Sequence, residues 1–395
     1  MPNRQDYTSG STPVMVGSPA VGTPNLDPQN VPRVPFRVAT LERADLVNSD
    51  SQVQTASEQL IERVLPGTGF VYGVDLDYNA VTAANAATVV YFEDAPYSAA
   101  SSVIFRDVNA EVVDADGASL KWAGRYGGYE PFNEETSLDT LIWNKVVGAG
   151  ATGGSFRFHT KVPIALNRRT LLGLLGNQDR GQSYILRANL ASGAAAATGP
   201  VYTTAPTTLP TVVINRHYES YVVPNPANDQ GQPQQVIPPF YGVIPYITKS
   251  ISPNAPVGGS TVNHFLQRIN TTFRCLILVL RSNGLRATAE ANLPTNLQLR
   301  IGNQSIFNEL PAYRRDVMFR RYGFDAPAGI FVYDMVHDFD GRGGAELGND
   351  WFWTQQLTEA QFIITYPAGF GSTNNTLTII TLDMTVPAGM NLYAA

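Results

Sequence analysis

The sequence is poor in charged residues, which make up only 15% of its 395 residues. Soluble domains carry about 25%, and a chain with so little charge often covers much of its surface with other subunits. The net charge is −6 at pH 7, and no dense run of Lys or Arg occurs. Because sequence-independent nucleic-acid binding needs clustered basic residues, we expect no direct nucleic-acid partner.

Cysteine is nearly absent, since Cys275 is the only one, and no intrachain disulfide can form. This usage fits synthesis in a reducing cytoplasm. No apolar run reaches the roughly 18–20 residues that a transmembrane helix needs. The N-terminal segment also lacks the continuous apolar core of a secretion signal.

Motifs for catalysis and metal binding are also missing. None of the four histidines stands at His-x-His or His-x-x-x-His spacing from another, so the sequence predicts no local zinc site. Cys275 lies in an apolar segment that disfavours the thiolate. No phosphate-binding loop, dinucleotide-binding glycine motif or Gly-x-Ser-x-Gly elbow occurs. We therefore expect no enzyme activity, no catalytic residue, no cofactor and no metal.

Two segments divide the chain. Residues 1–33 are rich in Pro, Gly, Ser, Thr and Asn and predict an extended arm that cannot build a core. Residues 224–239 hold five prolines and predict a linker. The remaining segments, 34–223 and 240–395, have ordinary domain sizes.

Most of the remaining sequence predicts β-strands. Apolar and polar residues alternate in Gly69–Val81, Ser155–Leu166 and Thr211–Val223, between clusters of Gly, Pro, Asn and Asp. Cys275–Leu280, "CLILVL", is apolar at every position and predicts a strand buried on both faces. Many short strands with long irregular connections favour sandwiches or jelly rolls.

Two helices are predicted, one in each half. The first, Asn167–Gln178, places four leucines on one helical face, and the second, Asn308–Gly323, has Pro311 in its first turn and Gly323 as its C-terminal cap. Each helix stands between two predicted strands. The sequence therefore predicts two similar β-domains with one helix inserted at the same point in each.

This order, with the segments "ATGGSFRFHTKVPIALNRRTLLGLL" and "YRRDVMFRRYGFDAPAGIFVYDM", resembles the double jelly-roll major capsid proteins of tailless, membrane-containing icosahedral viruses, of the tectivirus type. "YFEDAPYSAASSVIFRD" and "ASLKWAGRYGG" also resemble strands of that family's first barrel. The resemblance implies a mainly β fold of two eight-stranded jelly-roll barrels standing side by side, with one short helix inserted in each. Segments 34–223 and 240–395 would then be the two barrels.

The resemblance also implies a function and partners. Three copies would form a homotrimer, a pseudo-hexameric capsomer that tiles an icosahedral shell with neighbouring capsomers, penton or spike proteins and minor capsid proteins. The protein would be made in the host cytoplasm and would reside in the virion capsid. The arm would tie neighbours or meet an internal viral membrane, although its Pro and Gly content argues against the long N-terminal helix of the tectivirus type.

An acidic segment, Tyr333–Trp351, is the strongest metal candidate. From Asp338 onward it nearly matches a calcium-binding loop, with Asp338 and Asp340 at the first and third positions. Arg342 stands at the fifth position, where the loop needs a ligand, and Asn349 at the closing twelfth, where it needs a bidentate Glu. We therefore interpret the segment as a solvated surface loop.

Four arginines of the second helix are the candidate subunit-contact residues: Arg314, Arg315, Arg320 and Arg321. Because Glu309 and Asp316 lie among them, we favour a salt-bridged subunit contact over phosphate binding. An alternative function remains, a two-domain β-sandwich that binds carbohydrate or a receptor, with Trp351 and Trp353 beside the acidic loop.

Overall fold

A computed structural model describes residues 33–82, 89–107, 110–129, 154–166, 170–178, 183–197, 199–287, 292–336, 351–354 and 359–387. Among the described residues 47% lie in strands or isolated β-bridges and 11% in helices, so this part of the chain is mainly β. The predicted arm, apart from Arg33, and the acidic loop with Asp338 and Asp340 lie outside the described residues.

The first half contributes strands β1 to β11 and two helices. The strands are β1 (Glu42–Val53), β2 (Glu62–Val64), β3 (Phe70–Val81), β4 (Val90–Tyr91), β5 (Ala100–Arg106), β6 (Glu111–Ala115), β7 (Phe156–Pro163), β8 (Leu175–Gly176), β9 (Ile185–Leu190), β10 (Tyr202–Thr204) and β11 (Thr211–Tyr221). The helices are α1 (Phe36–Ala39) and α2 (Gly117–Gly127).

The second half contributes strands β12 to β21 and helix α3 (Pro311–Tyr322). The strands are β12 (Ile244–Ile251), β13 (Thr261–Phe265), β14 (Thr272–Ser282), β15 (Leu285–Arg286), β16 (Asn296–Ile301), β17 (Gln304–Glu309), β18 (Ile330–Asp334), β19 (Phe352–Trp353), β20 (Ala360–Thr365) and β21 (Thr376–Thr385).

Both halves arrange their main strands in the same sheet order. In the first half one sheet runs β1-β11-β3-β7 and the facing one β6-β5-β9-β2; in the second half the corresponding sheets run β12-β21-β14-β18 and β17-β16-β20-β13. In each half the first and last main strands are neighbours, which is the order of a jelly roll. The repeat is thus architectural, as predicted. The number of eight strands per barrel stays a prediction, because short strands such as β8 and β15 also join these sheets.

One sheet passes through both halves. Strand β12 pairs on one side with β21 and on the other with β6, in parallel, through Ile247 opposite Val113 and Thr248 opposite Asp114. The resulting sheet has ten strands. Eight of them follow one another in a continuous order, and β18 and β19 pair with β14 beside that order. The two barrels therefore stand side by side and share backbone hydrogen bonds.

Strand β14 confirms the prediction of a strand buried on both faces. Cys275, Ile277 and Val279 face a core that also contains the first half's core residues. The alternating residues Leu276, Leu278 and Leu280 face the core of the second half alone. Because successive side chains point to opposite faces, a strand between two cores needs apolar residues at every position.

Helix α2 was not predicted, and its segment "ASLKWAGRYGG" is wrongly interpreted as strand. Asp116 caps the helix by accepting a hydrogen bond from the Ser119 amide at 2.6 Å. Gly128 ends it with a left-handed φ of 72°. The buried face includes Leu120 and Tyr126, so the helix packs inside the molecule.

The predicted helix Asn167–Gln178 is wrong, because residues 170–178 form turns and the short strand β8. Leu171 and Gly173 have positive φ values of 58° and 90°, which no right-handed helix tolerates. The leucines are buried nevertheless, but they divide among three clusters: Leu171 and Leu174 in one, Leu172 in another and Leu175 in the large shared core. The spacing of these leucines therefore reflects the burial of their side chains in different clusters around a turn, and not one face of a helix.

Helix α3 confirms the second helix prediction. Pro311 occupies its first turn and Gly323 caps it with φ 75°. Helices α2 and α3 both stand between the fifth and sixth main strands of their half, after β6 and after β17. One helix per barrel at the same point is thus confirmed, with the first one at a different place in the sequence.

Candidate subunit-contact surfaces

Arg314, the first of the four candidate arginines, lies inside the chain. It is 6% exposed, and its Nε forms an ion pair with Glu309. Its guanidinium stands 4.3 Å from the centroid of the Tyr333 ring and 5.0 Å from that of Phe307, within cation–π range. Arg314 therefore fixes α3 to the strands beside it.

Arg321 also holds the chain's own structure. Its Nε lies 3.2 Å from Asp334 Oδ2, and its Nη2 donates to the carbonyl oxygen of Val336. Asp334 Oδ2 accepts a second hydrogen bond from Tyr322 Oη at 2.9 Å. These contacts of Arg321 and Tyr322 with Asp334 and Val336 hold the last turn of α3 against the end of β18.

The outward face of α3 carries the remaining two arginines. Arg315 is half-buried and Arg320 is exposed, with the Arg320 guanidinium 6.0 Å from the Tyr313 ring. Large apolar side chains are exposed on the same helix or just before it: Leu310 at 63%, Tyr313 at 54% and Phe319 at 50%. Arg and aromatic residues are enriched at protein–protein interfaces. The contact role of the four arginines stays a prediction, and the exposed side chains of α3 are where it is best supported.

A groove of about 780 Å³ lies beside this helix. Its walls combine apolar side chains, such as Phe307 and Val317, with the charged groups of Arg314, Arg321 and Asp334. Tyr313 lines the groove and is also half exposed. The groove therefore continues the exposed face of α3.

A second exposed apolar area, the arm root, surrounds the point where the described chain begins. Phe36 of α1 is buried, with its ring 5.3 Å from Phe70, and the Phe70 ring lies 6.1 Å from Tyr241. Around this cluster Val38, Leu41, Ile237 and Tyr241 are 75%, 61%, 58% and 50% exposed. Arg33 and Arg37 are exposed beside them.

Two groups that could carry chemistry, Cys275 and His264, are buried. Burial raises the pKa of the Cys275 thiol far above its usual range, so a thiolate nucleophile is disfavoured. His264 is fully buried, with Nδ1 2.8 Å from Ser252 Oγ and Nε2 2.8 Å from Tyr366 Oη. Burial lowers the pKa of His264 to about 4.

Trp351 bears on the carbohydrate-binding alternative. It is 5% exposed, with its ring centroid 5.9 Å from the Arg274 guanidinium. Sugar rings stack on exposed aromatic faces, so Trp351 offers no platform of this kind. The side chain of Trp353 lies outside the described residues.

Within the described ranges no three His, Cys, Asp or Glu side chains come close enough together to hold a metal ion. Within the same ranges, no helix combines the length and the apolar character of a membrane-spanning one.

Comparison with known proteins identifies the fold. A scan against protein-family models finds no match, and neither does a search of curated proteins. Solved structures do match, and among them are double jelly-roll major capsid proteins of several viruses. The chain therefore has a double jelly-roll fold, and the resemblance seen in the sequence is confirmed for the fold.

Among these structures is the major capsid protein of Sulfolobus turreted icosahedral virus, with a TM-score of 0.61 and 11% identity over 89% of this chain and 100% of that one. The PBCV-1 protein VP54, fitted into a reconstruction of the virophage Sputnik, gives 0.61 and 13% over 89% and 95%. The PBCV-1 virus capsid gives 0.57 and 13% over 87% and 93%.

Proposed function

We propose that this protein is a viral major capsid protein whose copies tile an icosahedral shell. The observation that carries the proposal is the likeness over 89% of this chain and 100% of the capsid protein of Sulfolobus turreted icosahedral virus. The whole of a capsid subunit is thus matched, both barrels included. The function is mechanical, with interfaces rather than a catalytic pocket, and the protein resides in the virion after synthesis in the host cytoplasm.

The capsomer is a homotrimer with a pseudo-hexagonal outline, since three chains contribute six barrels. The domains are segments 34–223 and 240–395, joined by the linker 224–239. A hexagonal outline needs two barrels held in fixed relation within each chain. The shared core around β14 and the sheet that joins β6 to β12 supply that fixed relation.

The outward face of α3 is a contact surface between chains of the trimer or between capsomers. Leu310, Tyr313 and Phe319 are each at least half exposed on α3 or just before it, and a group of exposed apolar side chains on one element is typical of an interaction site. Obligate interfaces commonly bury more than about 2,000 Å². Arg320 would pair across this contact, whereas Arg314 and Arg321 would stiffen the helix behind it.

The arm, residues 1–33, works below the barrels, where it ties neighbours or meets an internal viral membrane. The arm root supports this placement, because exposed apolar side chains and the exposed Arg33 and Arg37 surround the start of the described chain. Penton or spike proteins and minor capsid proteins complete the shell. Nucleic acid is not a direct partner, and no cofactor is needed.

The test is the particle shape and mass of the purified protein. Light scattering should give three times the single-chain mass of 42.8 kDa, and negative-stain images should show threefold particles with hexagonal outlines. A stable monomer would contradict the proposal. Phe319→Asp with Arg320→Glu should weaken the assembled form, whereas the matched control Val257→Asp, at a site 52% exposed in the loop between β12 and β13, should leave it intact.

A further inference from the structure

The two halves of the chain meet across a set of polar groups that we call the seam. The first half supplies Glu93, Asp94, Asp116 and the carbonyl oxygen of Gly127, and the second half supplies Lys249, Arg274, Arg281 and Arg286. The shared core lies behind these groups. The seam is therefore the polar part of the contact between barrels.

Four of these residues form one network. Arg281 of β14 places Nη1 2.7 Å from Glu93 Oε1, and its Nη2 pairs with Asp94. Arg286 of β15 donates its backbone amide to Glu93 at 2.5 Å and places Nε 3.5 Å from Asp94 Oδ1. The side chain of Asp94 is 3% exposed. Charged groups this deeply buried interact strongly and tolerate an unpaired state poorly.

Two further contacts extend the seam. Lys249 of β12 pairs with Asp116, the same carboxylate that caps helix α2. Arg274 of β14 is fully buried and donates from Nη2 to the Gly127 carbonyl at 2.9 Å, at the other end of α2. Both ends of this helix are therefore held by cations of the second half, and a cation at the helix C-terminus also suits the helix dipole.

Every ion pair of the seam follows one rule: the cation belongs to the second half and the carboxylate to the first. We propose that the seam is a one-way recognition surface, which accepts only an unlike barrel as its partner. Two first halves would bring Glu93, Asp94 and Asp116 against their own copies. Two second halves would face cation to cation. Like charges at such close range suppress the wrong pairing. The seam therefore determines which barrel lies beside which within the chain, independently of how the chains assemble with one another.

The test reverses the seam in the full chain and then restores it. One variant carries Glu93→Arg and Asp94→Arg, a second carries Arg281→Glu and Arg286→Glu, and a third combines all four changes. Spin labels on cysteines introduced at Leu46 and Val257, which are 57% and 52% exposed, report the distance between halves, with labelled chains diluted by unlabelled ones. The native Cys275 is buried and does not take the label.

The wild type should give one narrow distance distribution. Each reversed variant should give a broad one or fail to fold, and the combined variant should fold and become narrow again. A combined variant that stays broad or unfolded would overturn the proposal, as would a single reversal that remains narrow. If both single reversals fail to fold, the folding and the distance distribution of the combined variant still test the proposal.

A milder pair and a matched control separate recognition from general loss of stability. Lys249→Glu should broaden the distribution, whereas Lys249→Gln should broaden it less. The control Glu219→Lys reverses an ion pair within the first half, to Lys161, in which both side chains are 15% exposed. It should lower the melting midpoint and leave the distribution narrow. Equal broadening by the control would mean that any lost ion pair loosens the barrels, and the proposal would fail.

Discussion

Acid should destabilise this protein through one buried histidine. His264 of β13 is fully buried between two hydroxyl groups, Ser252 Oγ and Tyr366 Oη. Burial lowers its pKa from 6.5 to about 4, so the folded protein holds the ring neutral while the unfolded chain protonates it. Above pH 6.5 the ring is neutral in both states and the folded protein loses no stability through it. As the pH falls from 6.5 toward 4, the unfolded chain takes up the proton and the free energy of unfolding decreases.

The size of the effect follows from linkage. One pH unit of difference between the folded and unfolded pKa corresponds to about 1.4 kcal/mol, so His264 should lower the free energy of unfolding by about 3 kcal/mol between pH 7 and pH 4. Burial also raises the pKa values of the Asp114 and Asp383 carboxyls. Their effects are common to wild type and variant and cancel in a difference.

The assay is urea unfolding of wild type and His264→Gln at pH 7, 5.5 and 4. Glutamine can still donate and accept between Ser252 and Tyr366 but does not titrate. The wild type should be the more stable protein at pH 7, and this advantage should shrink by about 3 kcal/mol at pH 4. His159→Gln, at a side chain 37% exposed, is the control. If the difference between wild type and His264→Gln is the same at all three pH values, the reasoning about burial is refuted.

Three further outcomes are expected. Asp116→Ala should lower the free energy of unfolding by roughly 1–2 kcal/mol, because it removes the cap of α2 and the partner of Lys249; an unchanged urea midpoint would contradict this. Deletion of residues 1–33 should leave the melting temperature and the trimer intact but impair shell assembly; a large fall in melting temperature would show that the arm belongs to a core. EDTA and calcium should not change the melting temperature, and Asp338→Ala with Asp340→Ala should change stability by no more than about 0.5 kcal/mol; a calcium-dependent rise that the double variant abolishes would make the loop a metal site.

The sequence correctly predicted the elements whose residue pattern matches the burial and chain ends that the folded structure gives them. Strand β14 was evident because burial on both faces leaves no polar position, and α3 because Pro311 and Gly323 mark its two ends. The order of strand, helix and strand was also visible in the second half, whereas in the first half the helix was assigned to the wrong segment. These features depend on short-range chemistry that the sequence alone displays.

Helix α2 was missed because its interior carries weak helix formers, with Gly124 and Gly127 within eleven residues. Its signals were the capping residue Asp116 and the terminal Gly128, both easily taken for turn residues. The Leu-rich segment was mistaken for a helix because its apolar spacing is helical, whereas its leucines belong to three different clusters and Leu171 has a positive φ.

The sequence alone could not distinguish the candidate contact residues from one another. The four arginines of α3 look equivalent in sequence, yet the structure separates them, because Glu309 and Asp334 lie where they can pair with Arg314 and Arg321. Such pairing depends on strands β17 and β18 closing around the helix. The exposed apolar side chains of α3 and the seam likewise emerge only when distant segments meet.

The sheet that runs through both barrels also determines how the molecule yields under load. Strand β12 is bonded to β21 along eight residue pairs but to β6 along only two. A stress applied within the plane of the wall passes from one barrel to the other across that short joint. Because only two backbone pairs cross from β6 to β12, the shared core and the ion pairs of the seam carry most of that load and keep the two barrels in their fixed relation.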